Sequence, residues 1–182
     1  ENLQWPRGPI DQFVLASLET KKLRPVADAD RLTLVRRLYY DLIGLPPTPD
    51  QLTTALSDES PEAIEKLVDE LLSSPQFGER WGRHWLDVAR YAESSGKDLN
   101  VSYPEAWRYR DYVINSVNRD KPFDRFIVEQ VAGDLLPHST AAEESDHLVA
   151  TAYLLLGAHN YEEQDKRALE MDVVDEQLDT IG

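Results

Sequence analysis

Prolines cut this chain into short segments, and within the segments apolar residues recur every three or four positions. That pairing confines the fold to short helices. Proline opens a helix readily but cannot stand inside one or in the middle of a sheet, and a three-to-four repeat gives a helix one buried face. A helix predicted over Asp11 to Lys22 follows Pro9, with Phe13, Val14 and Leu18 turned inward. A second starts near Asp30, faces its core with Leu34, Val35, Leu38 and Leu42, and stops at Gly44, Pro46 and Pro47. Thr48 to Gln51 (TPDQ) has the form of a capping box with proline at the first helical position, opening a short helix to about Ser57. Ser60 and Pro61 repeat the device ahead of Ile64, Leu67, Val68, Leu71 and Leu72.

After Ser73, Ser74 and Pro75 comes a helix rich in tryptophan and arginine, then the loop SSGKDLNVSYPE (Ser94 to Glu105), the best candidate for a functional loop. Further helices are predicted over Pro104 to Asn118, Pro122 to Val131 and Ser145 to Leu156. A last one lies within Glu162 to Thr180, with a stripe at Leu169, Val173 and Leu178. His138 to Asp146 reads as the flexible internal stretch. No strand, repeat or low-complexity segment competes. The expected class is all-α: a compact, irregular domain of about seven to nine short helices rather than an up-down bundle. Residues 1–182 read as a single helical domain, a fragment of a larger multidomain protein.

Composition narrows the partners. The formal net charge is −15, and residues 134–182 carry 12 acidic and 2 basic side chains. Such a field opposes phosphate backbones and anionic membranes, so no nucleic-acid partner is expected. No apolar run is long enough to insert in a membrane, and ENLQWPRGPI at the start has neither a basic head nor an apolar stretch. The absence of cysteine excludes disulfides, thiolate nucleophiles, cysteine–zinc sites and thioether-linked haem within these residues.

The densest functional chemistry lies in GERWGRHWLDVARY, Gly78 to Tyr91. Arg80, His84, Asp87 and Tyr91 are spaced by four, three and four, which predicts one helical face. Arg83 can pair with Asp87, and Trp81 and Trp85 form an aromatic stripe beside them. An imidazole near a carboxylate could move a proton, and arginine could hold an anion; a buried polar network with tryptophans in the core is the competing reading. SYPEAWRYRDYVI, Ser102 to Ile114, repeats the mixture. Trp107 and Asp111 stand four apart, Arg108 and Arg110 point to different faces, and aromatic rings beside arginines suit a sugar platform. Asp111 could instead pair with Arg83 or Arg90. Both helices flank the loop, so one shared cleft is expected. Phe123 to Pro137 reads as structure, with Phe126, Ile127 and Val131 inward, Gly133 ending the helix or allowing close packing, and Glu129 and Asp134 free to meet arginines. The histidines at 84, 138, 147 and 159 make no zinc pattern, so no metal is expected. Asp172, Asp175, Glu176 and Asp179 read as a solvated acidic face.

The blocks WPRGPIDQFVLASLE, RRLYYDLIGLPPTPDQL, LVDELLSSPQFGERWGRHWLDVARYAESSG, YPEAWRYRDYVINSVNRDKPFDRFIVEQVAGDLLP and MDVVDEQLDTIG, in this order, closely resemble the domain-of-unknown-function 1549 family of planctomycete-type proteins. The resemblance implies an exported, extracytoplasmic, periplasmic or cell-surface multidomain parent, often carrying a cytochrome-like region and set among genes for complex polysaccharide breakdown. It places any c-type haem elsewhere in the parent, and no cofactor within this fragment. It supplies no catalytic assignment. The expected function is a helical recognition or scaffolding module that positions a carbohydrate-related ligand or a neighbouring domain of the same chain. Arg80, Arg83, Trp85, Arg90, Tyr91, Trp107 and Arg110 would form its ligand-binding or polar network. One alternative is a carbohydrate-active enzyme using His84 with Asp87, Glu105 or Asp111; another is a purely structural inter-domain module.

Overall fold

The computed structural model describes residues 5–96, 100–156 and 165–182. Among them nine α-helices carry the fold and no strand forms, as the all-α expectation requires. The sole extended pairing among the described residues is an isolated antiparallel bridge between Ser94 and Ser102. No helix among them is long and apolar enough to cross a membrane. Contacts divide the chain into two units, Glu1–Leu34 and Val35–Gly182.

In the first unit, α1 (Pro9–Thr20) starts and ends two residues earlier than the predicted span, and Asp11 accepts from Arg7 N and Gly8 N at its entrance. Its buried face is not the expected one. Leu15 is buried, whereas Phe13 is 77% exposed and Val14 is also turned out. Apolar residues at 10, 13, 14, 15 and 18 cover too much of the wheel for periodicity to pick a face, and the Leu15–Leu18 side won. Asp30 opens α2 (Arg31–Leu42) by accepting from Thr33 N and Thr33 Oγ1, which holds the Asp30 carboxyl below its usual range.

The second unit takes over α2 and holds two cores. One joins Val35 and Tyr39 to Leu67 and Leu71. At its edge Gly44, at φ +74°, ends α2 by donating to Tyr39 O, a conformation glycine adopts without penalty. Thr48 and Gln51 then form the predicted reciprocal cap of α3 (Pro49–Ser57). Ser60 does not act likewise: its N–H donates to Asp58, a turn follows, and α4 (Ala63–Leu72) begins after Glu62. Leu67 and Leu71 are buried as expected, but Leu72 lies outward.

The other core comprises Leu86, Tyr109, Tyr112, Val113, Phe126 and Ala150. It is built by α5 (Pro75–Val88), α6 (Trp107–Asn118), α7 (Phe123–Ala132) and α8 (Ala141–Ala150), with 3₁₀ turns at Gly133–Leu135 and Thr151–Leu155. The stretch read as flexible, His138 to Asp146, is instead helical from Ala141 onward. Thr140 caps α8 by accepting from Glu143 N, and Glu143 accepts from Ser139 N one residue before the cap, a helix start hidden in a polar run. Helix α9 (Lys166–Ile181) is capped by Asp165. Leu169 and Val173 are half-buried, but Leu178, expected on the same stripe, is exposed.

Candidate functional site

Helices α5 and α6 run antiparallel at close range because glycines stand at their contact. A Cβ on Gly82 would touch Val113 and Ile114, and one on Gly78 would come 2.5 Å from the Asn118 side chain. Asn118 uses that space: its Oδ1 accepts from Gly78 N at 2.8 Å and its Nδ2 donates to Pro75 O at 3.1 Å, tying the first turn of α5 to the last of α6. Trp85 points inward from α5. Its ring meets Phe126 edge-on at 5.0 Å, and its indole N–H donates to Tyr109 Oη and Gln130 Oε1, each at 2.9 Å. Burial pushes the Tyr109 phenol well above its usual range.

A second buried polar cluster centres on Glu129 of α7, which is 3% exposed. Its carboxylate accepts from Lys121 Nζ, from Arg125 Nε at 2.8 Å and from Tyr112 Oη at 2.9 Å. Burial alone would raise the Glu129 pKa; the hydrogen bonds from Lys121, Arg125 and Tyr112 outweigh it and hold the group below its usual value. The same burial, and then the carboxylate, drive the Tyr112 phenol upward. Arg125 Nη2 lies 3.1 Å from His147 Nε2. The other ring nitrogen of His147, Nδ1, is buried without a hydrogen-bond partner.

Helix α5 stops one turn before the predicted face is complete. Arg90 adopts φ +58°, and Tyr91 N donates back to Leu86 O at 2.9 Å. Tyr91 is therefore off the helix and does not share a face with Arg80, His84 and Asp87. It stacks on Tyr109 at 6.3 Å and donates to Glu93; burial first, and Glu93 second, push its pKa up to about 12. Arg90 reaches the other way, with Nη1 3.3 Å from Glu176 and Nη2 2.7 Å from Thr180 on α9.

Between the start of α6, the α8–3₁₀ segment and α9 opens a cleft of about 500 Å³. Ala106, Tyr109, Val149, Ala152, Leu156, Leu169 and Val173 line it, and Glu105 and Arg108 stand among its walls as the charged groups. Arg108 Nε donates to Glu105, while its guanidinium lies 5.1 Å from the centre of the Trp107 ring, which is 42% exposed. An ion pair thus stands on the wall of an apolar recess, and its arginine carries an exposed indole.

The family model described as PSCyt2, protein of unknown function (DUF1549), matches residues 9–182. The chain belongs to this family. No curated protein and no solved structure matches it.

The candidate residues of this DUF1549 domain separate into groups. Glu105 lines the cleft, while Trp107 stays outside its lining and meets it only through Arg108. Arg110 binds Asp111 through Nη2 at 3.0 Å and lies 3.7 Å from Glu93, so Asp111 is held by its own neighbour and not by Arg83 or Arg90. Arg83 and Asp87 form the predicted pair at 3.7 Å on an exposed surface, an arrangement that adds little stability. His84 stacks edge-on against Trp81 at 5.4 Å and forms no ion pair with any carboxylate among the described residues. Arg80 packs its aliphatic stem over Gly44 and buries Nε without a partner. Trp85 belongs to the core. Among the described residues no three histidine or acidic side chains gather as a metal site; His159 and Lys97 to Leu99 of the predicted loop lie outside those residues. Sequence reasoning missed Arg108 on the cleft wall, and it offered Glu129 to arginines without identifying Arg125, Lys121 or Tyr112 as its partners. The four-residue spacing of Arg125 and Glu129 was the signal available for the latter.

Proposed function

We propose that this DUF1549 domain is a recognition and scaffolding module of an extracytoplasmic, redox-associated multidomain protein, and that the Glu105–Trp107–Arg108 mouth of the cleft is its contact site. The Glu105–Arg108 ion pair on the wall of an apolar recess, with the exposed Trp107 ring stacked against Arg108, carries this reading. Arg108 covers one side of the ring; the remaining surface suits the C–H face of a sugar, and Glu105 and Arg108 offer partners to hydroxyl, carboxylate or sulfate groups. The recess itself offers aliphatic walls, so it suits an apolar substituent or the side chains of a neighbouring domain. The link to polysaccharide breakdown and the haem elsewhere in the parent rest on the family resemblance.

The acid/base alternative draws no support from the geometry. Asp87, Glu105 and Asp111 are each paired with an arginine within four residues, and His84 forms no ion pair with any of them among the described residues. A panel of neutral, acidic and sulfated oligosaccharides, titrated calorimetrically, tests the proposal. Binding lost in Trp107→Ala and Arg108→Ala, with the thermal midpoint retained, is the expected result. A flat panel together with no association between this domain and the neighbouring domains of its parent would overturn it.

A further inference from the structure

Helix α9 faces two environments. On its inner side Leu169 and Val173 wall the cleft, Glu176 meets Arg90, and Thr180 O accepts from Tyr153 Oη at 2.6 Å. On the other side Met171, Val174, Leu178 and Ile181 follow one another at spacings of three, four and three, and are between 43% and 62% exposed. That is the spacing of a seam between two helices. Along one edge of the stripe stand Asp172, Asp175 and Asp179, and no side-chain hydrogen bond or ion pair engages them among the described residues.

We propose that the Met171–Ile181 stripe docks an amphipathic helix whose own apolar seam is edged by lysine or arginine. Charge selects this occupant. A second copy of α9 would bring the same aspartates to the shared seam, where like charges oppose pairing. An anionic lipid surface is repelled by the same edge. A helix with basic flanks covers the stripe and gives all three carboxylates counter-charges. The stripe lies on the opposite side of α9 from the cleft wall, so this surface stands independently of the Trp107 site.

The test uses the whole chain and two synthetic helical peptides of about three heptads, with leucine at the seam and either lysine or glutamate at its edges. The lysine-edged peptide is expected to bind saturably, one per chain, and more weakly as salt rises. The glutamate-edged peptide is expected not to bind. Leu178→Gln and Val174→Gln should each weaken binding by about tenfold or more at unchanged thermal midpoint, and Trp107→Ala should leave it intact, which separates this surface from the cleft. Equal binding by wild type and Leu178→Gln would reduce the effect to bulk charge and overturn the proposal. Binding of neither peptide would do the same. So would a wild-type dimer in sedimentation that dissociates on Leu178→Gln, because the occupant would then be a second copy.

Discussion

Replacing Glu129 by glutamine removes one charge from the buried cluster and almost nothing from its shape. Lys121 suffers most: its side chain is 16% exposed and loses its counter-charge with little water to take over. Arg125 is better placed, being 43% exposed and 3.8 Å from Glu143. A charge-assisted hydrogen bond contributes about 1.5–3 kcal/mol and a neutral one about half that, whereas breaking a buried pair outright costs about 3–5 kcal/mol. With Tyr112 still able to donate to the amide oxygen, the expected loss is about 3 kcal/mol, or roughly 6–12 °C in thermal midpoint for a domain this size. Urea titration and calorimetry at pH 7 read it directly.

The pH dependence supplies a second check on the same group. The folded pKa of Glu129 lies below its reference value of 4.5, so its contribution is complete above that value and is lost as pH falls through the folded pKa. The gap between wild type and Glu129→Gln must therefore close on acidification. A loss under about 0.5 kcal/mol at pH 7, the size of an ordinary surface substitution, or a gap unchanged in acid, would refute the reasoning.

Gly133→Ala should cost about 1–3 kcal/mol or more, because its Cβ would sit 2.3 Å from the backbone oxygen of His147, which cannot swing away; calorimetry checks it. Trp85→Ala should cost about 3–5 kcal/mol, although Tyr109 Oη and Gln130 Oε1 keep their hydrogen bond to each other, while Trp81→Ala, at a site 44% exposed, should cost far less by the same measurement. Arg90→Ala loses the Glu176 and Thr180 contacts and keeps the left-handed backbone, whereas Arg90→Gly loses the contacts but relieves the backbone. The glycine variant should therefore be about 1 kcal/mol the more stable of the two, measured in urea.

Helices whose starts are local were legible: Thr48 and Gln51 lie within four residues and specify their cap without help from the rest of the fold. Where the deciding contact was distant or subtle, reading failed. Ser60 resembles a cap, but Asp58 two residues earlier takes its N–H. Tyr91 keeps helical spacing, yet the helix ends because Arg90 turns left-handed, a choice that non-glycine residues signal poorly. Thr140 and Glu143 form a cap inside a run whose polarity suggested a loop. At the site, Glu105 closed the expected loop and lines the cleft, while Trp107 reaches it only through Arg108. Their companion Arg108 was overlooked because its value lies in bridging two neighbours. The regular spacing of His84 and Asp87 promised a pair, but Asp87 went to Arg83 and the imidazole to Trp81.

Arg90 has a consequence for how the molecule comes apart. Helix α9 contributes no fully buried side chain; a guanidinium, one phenol and two half-buried aliphatics hold it down. It can therefore depart while both cores stay assembled, and its amides should exchange with solvent sooner than those of α6 or α7. The cleft then exists only while that helix is seated, since Leu169 and Val173 leave with it. Any molecule held there would act as the missing glue, and its binding would register first as slower exchange along the last sixteen-residue helix.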